Sequence, residues 1–296
     1  MSTTASDPSL PNAPSAPSPP GTPGAPSFWR RATKQKRFVF GFTVTVLVVA
    51  FAVLAPFLAP YGENETAGAP YSGSGLFGTD NVGQDVLSRL MHGGQEVLLI
   101  SVLATLVGMV LGILIGVVAA YIGGWWDEVL MRLNDVLLAF PQILLALVVL
   151  TALRNPAAWV IILLVGVSHA PRVARVSRGV ALGIVSRDFV VAAEALGERR
   201  SRVIVAEVLP NMIGPLLAEA GLRLTYSIGV VAALGFLGFA ADPGAANWGQ
   251  MMNENRLGLQ TQPWAVLAPV LMIAVFTIAT NLMADGLAQL SQRGDG

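Results

Sequence analysis

Between residues 38 and 60 the chain runs 23 positions without a charged side chain. As an α-helix that stretch is about 34 Å long, against a bilayer hydrocarbon core of roughly 30 Å. Such a segment reads as a membrane span. Residues 97–122, 136–153 and 264–284 have the same character, 212–236 shares it apart from Glu219 and Arg223, and residues 157–170 reach full length only if their helix continues through Arg172, Arg175 and Arg178. A mean hydropathy of +0.64 over 296 residues agrees with this. The fold class that follows is all-α: a polytopic membrane bundle of about six transmembrane helices.

Charge orients the bundle. Residues 1–27 hold eight of the 19 prolines together with Ser, Ala and Gly. That composition cannot bury enough apolar surface to offset its ordering entropy, so it reads as a disordered tail. It is not a signal peptide, because the charged segment and the apolar run come after it. Arg30, Arg31, Lys34, Lys36 and Arg37 form a basic collar in a unit at 28–60, and the positive-inside rule makes this end cytoplasmic. Six spans then leave Arg89, Arg154 and Arg256 outside and Arg223 within the fifth span, with every other Lys and Arg on the cytoplasmic side. Both termini, including a short tail at 291–296, are cytoplasmic.

Residues 61–96 become the first external segment. There Thr79 or Asp80 caps an amphipathic helix with Val82, Val86, Leu87, Leu90 and Met91 on one face, lying along the outer surface. Residues 97–290 form the core. It holds five spans, a short cytoplasmic turn at 123–132 with Trp125 and Trp126 at the interface, a bend at Pro141 and a second external segment at 238–263.

Composition excludes several functions. The absence of cysteine removes disulfides, thiol redox chemistry and zinc–thiolate sites. The only lysines, Lys34 and Lys36, precede the first span, so there is no Gly-Lys-Ser/Thr phosphate loop and no ATP binding of that kind. A formal net charge of +0 suggests no nucleic-acid partner. His92 and His169 lie in different regions, without an HExxH or a nucleophile elbow, and no catalytic or metal site is assigned. Asp80 and Asp85 form one acidic pair, short of the ligand set of a calcium loop.

Two features inside the spans carry physical meaning. Ala104, Gly108, Gly112, Gly116 and Ala120 recur every four residues, a stripe along which another helix can approach closely. The spacing leaves open whether that helix belongs to this chain or to a second subunit. Glu219 and Arg223 lie within the fifth span. Its apolar residues contribute about −3 to −7 kcal/mol on the insertion scale, against about +5 to +7 kcal/mol for two mid-span charges, so these charges cannot face lipid. Spaced i, i+4 with Glu first, they can pair on one helix face. A structural pair and a role in gating or lining a path are both open. Arg172, Arg175 and Arg178 have the spacing of a voltage sensor, but they follow Pro171 at the end of a span, where the positive-inside rule accounts for them.

The stretch 188–211, DFVVAAEALGERRSRVIVAEVLPN, is wet where its neighbours are not, with Arg199, Arg200 and Arg202 close together. Phe189 to Leu196 contains three alanines and no Gly or Pro, and should form a short helix. Gly197 ends it, residues 199–209 form a second helical stretch, and Pro210 stops or bends that one. Charge bias alone puts this elbow in the cytoplasm. Its paired alanines Ala192 and Ala193, its Gly197 four residues on, and its Leu209-Pro210-Asn211 resemble the coupling loop of the membrane subunits of ABC importers. In that family the loop docks into a groove on the ATP-hydrolysing subunit, and the resemblance assigns Phe189 and Leu196 to the same docking face. Val191 departs from the family, which has Glu there.

Other stretches narrow the resemblance. GTDNVGQDVLSR at 78–89, with Gln84 where Arg is usual, GGWWDEVLMRLNDVLLAFP at 123–141, and Trp248-Gly249 after a Pro-Gly turn are similar to the second, C-type permease of the dipeptide, oligopeptide and nickel branch. The resemblance implies the ABC type I importer permease fold and a subunit without catalysis or cofactor. It further implies a heterodimer with a second permease subunit, two ATPase subunits that bind ATP and magnesium, and an extracytoplasmic substrate-binding protein. The implied substrate is a di- or oligopeptide, with nickel complexes as the alternative, and the implied location is a bacterial or archaeal plasma membrane. A stand-alone secondary transporter or channel would instead show an ionisable relay near the midplane or broken helices in inverted halves, for which only Glu219 and Arg223 qualify.

Overall fold

The computed structural model describes residues 35–153, 157–242 and 244–292, without the side chains of 290–292. The tail expected at 1–27, the collar residues Arg30, Arg31 and Lys34, Arg154, and residues 293–296 lie outside the described residues. Among the described residues there are no strands, only two isolated bridges, Thr66 with Gln84 and Thr79 with Asp85.

Helix α1 (Lys36–Val53) ends at Leu54, and a single turn, α2 (Ala55–Leu58), follows with Pro56 in its opening positions. Proline cannot donate to the preceding turn, so the first span is two pieces rather than one helix over 38–60. Helix α3 (Val86–Ile122) has 37 residues, about 55 Å at 1.5 Å per residue. It absorbs both the amphipathic segment expected on the outer surface and the second span, so the boundary expected at 96 falls inside a helix. Asp85 caps it, rather than Thr79 or Asp80: its Oδ2 accepts from Ser88 N at 2.8 Å and Ser88 Oγ at 2.7 Å. The polar positions that look like the end of a span are held by distant backbone. Gln95 Nε2 donates to Ala52 O at 2.9 Å, and Glu96 Oε1 accepts from Ala241 N at 2.7 Å.

Gly123, with φ +65°, ends α3. The expected short turn is instead the beginning of a full helix, α4 (Gly124–Ala139), and α5 (Gln142–Ala152) leaves it at 76° after Phe140 and Pro141. Helix α6 (Ala158–Val185) runs unbroken through Pro171 and the three arginines, the continuation that a fourth span required. Two short helices, α7 (Asp188–Ala195) and α8 (Arg200–Val203), lead into a π turn at Ile204–Val208 and then α9 (Leu209–Phe236). Pro210 therefore does not stop the helix. Leu209 N–H reaches back five residues to Ile204 O, and Pro210 occupies an opening position of α9, where a missing donor costs nothing. Helix α10 (Trp248–Asn255) lies in the second outer segment, and α11 (Trp264–Gln292) follows. Among the described residues five helices are long and apolar enough to cross a membrane, or six if the bent α4–α5 pair is one span.

The glycine stripe finds its partner within the chain. A Cβ on Gly112 would lie 2.4 Å from Val173 Cβ, one on Gly116 2.4 Å from Ala174 O, and one on Gly108 2.9 Å from both Gly166 O and His169 Cβ. The stripe is the seam between α3 and α6, the most extensive helix pair in the molecule.

Among the described residues two large apolar clusters occupy the two ends of the bundle, and a small third one gathers Phe38, Met283 and Leu287. The outer one gathers Ala52, Val86, Leu90, Trp248, Met251 and Phe276. Above it the two external segments interlock: Arg89 bonds Asp80 at 2.6 Å and Glu254 at 3.0 Å, Asn255 Oδ1 accepts from Asn81 N at 3.0 Å, and Trp248 Nε1 donates to Leu90 O at 2.7 Å. Asp80 and Asp85 are thus engaged by a guanidinium and by N–H and O–H donors. The inner cluster joins the ends of α3 and α6 to the elbow.

Candidate functional site

The elbow begins with a helix of low-cost residues, DFVVAAEA, and closes with a Schellman corner. Gly197 N donates to Glu194 O at 2.9 Å and Glu198 N to Ala193 O at 3.2 Å, with Gly197 at φ +80°. A Cβ on Gly197 would touch nothing within 4 Å. The requirement for glycine is therefore conformational: the left-handed backbone needs it, not the space around it.

Three valines turn this elbow inward. Val190, Val203 and Val208 are buried together with Met212, and they pack with Val117, Ala120, Val173, Ala181 and Ile184 from α3 and α6. Tyr121 Oη donates to Glu194 across the same junction. Sequence reasoning missed this clamp. Its signal was the recurrence of valine at 190, 203 and 208 in a stretch otherwise rich in charge.

Other apolar side chains of the elbow are left bare. Leu196 is 85 % exposed and Val205 64 %, large values for apolar residues in a wet loop. Phe189, Ala192, Ala193 and Leu196 line one cavity of about 400 Å³ with Arg202 and Glu207 at its polar edge. Gly197 sets the corner without lining it. Leu209 is half-buried against the inner cluster, while Pro210 and Asn211 are exposed on the first turn of α9, where Asn211 Nδ2 donates to Glu207 O at 2.6 Å. These last three do not line the cavity. Val191 is exposed, so the departure from the family's Glu removes a charge from the surface and leaves the clamp untouched.

The elbow is mechanically continuous with two spans. Only Ser186 and Arg187 separate α6 from α7, and the π turn runs into α9 without a gap. Helix α4 braces the inner end of α6: Arg178 bonds Asp127 through both carboxylate oxygens at 2.5 Å, and Arg175 bonds Asp135.

Glu219 and Arg223 meet as their spacing predicts, at 2.8 Å, with side chains 8 % and 11 % exposed, and the Arg223 guanidinium lies over the Tyr226 ring at 5.0 Å. Nearby on the same helix Ser227 shares a hydrogen bond with Thr105 of α3 at 2.9 Å. The charges face the bundle interior.

Comparison with known proteins places this geometry. Residues 108–293 match the sequence model of the family described as "binding-protein-dependent transport system inner membrane component". Residues 27–72 match that of the N-terminal transmembrane domain of oligopeptide transport permease C. A di/tripeptide transport system permease protein of Pseudomonas aeruginosa is 34% identical over 96% of this chain and 93% of its own. A dipeptide transport system permease protein of Alkalihalophilus pseudofirmus is 31% identical over 88% of each chain. A glutathione transport system permease protein of Escherichia coli is 34% identical over 88% of this chain and 87% of its own. Among solved structures, a chain from an inward-facing form of the MetNI methionine ABC transporter superposes with a TM-score of 0.54 at 18% identity, covering 67% of this chain and 96% of that one. At that identity the likeness shows the fold alone.

Proposed function

The chain belongs to the family of binding-protein-dependent transport system inner membrane components, and from that premise we propose that it forms half of the translocation pathway of an ATP-driven importer for di- and oligopeptides. Its partners are a second permease subunit, two ATPase subunits that hold ATP and magnesium, and an extracytoplasmic binding protein that delivers the peptide. The setting is a prokaryotic plasma membrane. The names of the relatives, which specify dipeptides, di/tripeptides and glutathione, favour a peptide-type substrate over a nickel complex.

One observation supports the coupling role above the others. The elbow carries a notch between its two arms, with Leu196 and Val205 bare beside it, and buried valines clamp it to α3 and α6. That is the form of a lever whose working end awaits a partner. ATP-driven movement of the ATPases would displace α7 and α8 as a unit, and α6 and α9 would follow between inward-open and outward-open packings. Glu219 and Arg223, paired and turned inward, act as an internal strut of α9.

Uptake tests the reading. Proteoliposomes holding this chain, the second permease and both ATPases, supplied with the binding protein, should accumulate a labelled dipeptide only when ATP is present. Accumulation by this chain alone, or accumulation of a nickel complex in place of any peptide, overturns it.

A further inference from the structure

Three arginines descend α6 at intervals of three residues, and α4 engages two of them: Asp127 bonds Arg178 and Asp135 bonds Arg175. Arg172 has no carboxylate partner among the described residues. It lines a cavity of about 160 Å³ in the corner between α4, α5 and α6. A second donor borders the same cavity, because Gln142 Nε2 is buried without a partner. Ser168 is already committed, its Oγ donating to Val165 O at 2.8 Å. The remaining walls, among them Leu137, Phe140, Leu145 and Leu163, are apolar. Two free donors, one of them a full positive charge, sit at the N-terminus of the 11-residue helix α5, whose dipole adds in the same sense. The corner is built for an anion attached to something aliphatic.

Its level in the membrane identifies the ligand. Helix α4 carries Asp127, Glu128, Arg132 and Asp135, α5 carries no charge, and the two meet at 76°. A polar-faced helix turning into an apolar one marks the depth at which headgroups give way to acyl chains, and the exposed Trp125 and Trp126 on α4 fit that level. The positive-inside orientation makes this the inner leaflet. The cavity has room for about five water volumes, enough for a phosphate but not for a whole lipid, and the exposed Leu144 and Leu163 beside it offer a path for acyl chains. We infer that this corner binds the phosphate of an inner-leaflet anionic phospholipid, with the Arg172 guanidinium and the Gln142 amide donating to its oxygens. Basic recesses between helices at the cytoplasmic surface suit such headgroups. Nothing in this inference depends on what the protein transports.

The full chain, extracted in mild detergent, is titrated with phosphatidylglycerol, phosphatidylcholine, inorganic phosphate and a dipeptide, and bound molecules are counted by native mass spectrometry. Phosphatidylglycerol should be retained over phosphatidylcholine. Arg172→Gln should lower its retention about tenfold, and Arg172→Lys by less, since lysine keeps the charge but loses the planar fork. Arg132→Gln, which removes a cation already paired to Glu128 on the exposed face of α4, should leave retention unchanged. Should Arg172→Gln fail to fold, Gln142→Ala reads the same contact with about a threefold loss. Equal retention by wild type and the Arg172 and Gln142 variants overturns the inference, as does equal retention of both lipids or an equal loss in Arg132→Gln. Saturation by inorganic phosphate or by the dipeptide with no retained lipid overturns it too, and assigns the corner to a soluble anion.

Discussion

The outer cap and the inner elbow are both loops between spans, yet they are held by opposite means. In the cap, charged and amide side chains are buried and meet one another: Arg89 with Asp80 and Glu254, Asn255 with the backbone at Asn81. In the elbow the arginines are exposed, one carboxylate, Glu194, accepts from Tyr121 of α3, and buried valines make the rest of the attachment. A buried polar network whose ion pairs close within the chain defines one geometry, even with Arg89 Nε and Asn81 Oδ1 left without a partner. The loop fastened by valines leaves Leu196 and Val205 bare. The cap is held by its own contacts, while in the proposed reading the elbow is half of an interface.

Replacing Arg89 by Ala tests the first half of that contrast and has the largest expected effect. It would leave the Asp80 side chain, 1% exposed, without its counter-charge, at a cost of about 3–5 kcal/mol. A large fall in the detergent melting temperature is expected, and removing Asp80 as well should recover part of it. A melting temperature unchanged by Arg89→Ala would mean that the cap is not the self-contained network described. Met212→Ala probes the elbow's clamp in the same assay. Met212 is fully buried, and its truncation should cost about 2–5 kcal/mol, toward the lower end because no polar group is stripped of a partner. A loss exceeding that of Arg89→Ala would reverse the ranking of the two attachments.

The same contrast explains what could be read from the chain. The elbow was legible because its determinants are local: alanines that favour helix, a glycine where the backbone turns left-handed, and a run of arginines no membrane would hold. The spans were legible from apolar length. The cap was not, because its partners, Asp80 and Glu254 or Leu90 and Trp248, are brought together only by the fold. Without them Arg89, Gln95 and Glu96 looked like the polar end of a span, and α3 was divided at a point where it does not break. The partner of the glycine stripe was likewise hidden, since four-residue spacing reports that a helix approaches but not which one. Pro210 left two readings, a stop or a bend, and the structure removes the stop, because the helix runs on through it after a π turn.

Gly197→Val sharpens the comparison from within the elbow. A Cβ there meets no atom within 4 Å, so the main cost is the left-handed backbone at φ +80°, about 1–2 kcal/mol. Should the corner relax instead of holding, the notch changes shape while the bundle stays folded. Reconstituted transporter is then expected to keep its melting temperature within a few degrees and to lose ATP-driven uptake. Wild-type uptake at equal abundance would mean that the corner's geometry does not matter to coupling.

The smallest effect on stability comes from Leu196→Ser, and it separates the two halves of the molecule most cleanly. Leu196 is 85 % exposed and contributes nothing to the clamp, so stability should move by no more than about 0.5 kcal/mol. Its only available role is outside the chain. If the elbow is half of an interface, this substitution weakens association with the ATPase subunits, read as a loss of co-purified ATPase from detergent extracts and a matching fall in uptake. Val82, 53 % exposed on the outer cap, is the matched control: Val82→Ser should alter neither stability nor ATPase recovery. An equal recovery of ATPase in Leu196→Ser and wild type would leave the bare face of the elbow without a purpose, and the distinction between a cap held by its own contacts and an elbow that awaits a partner would fall with it.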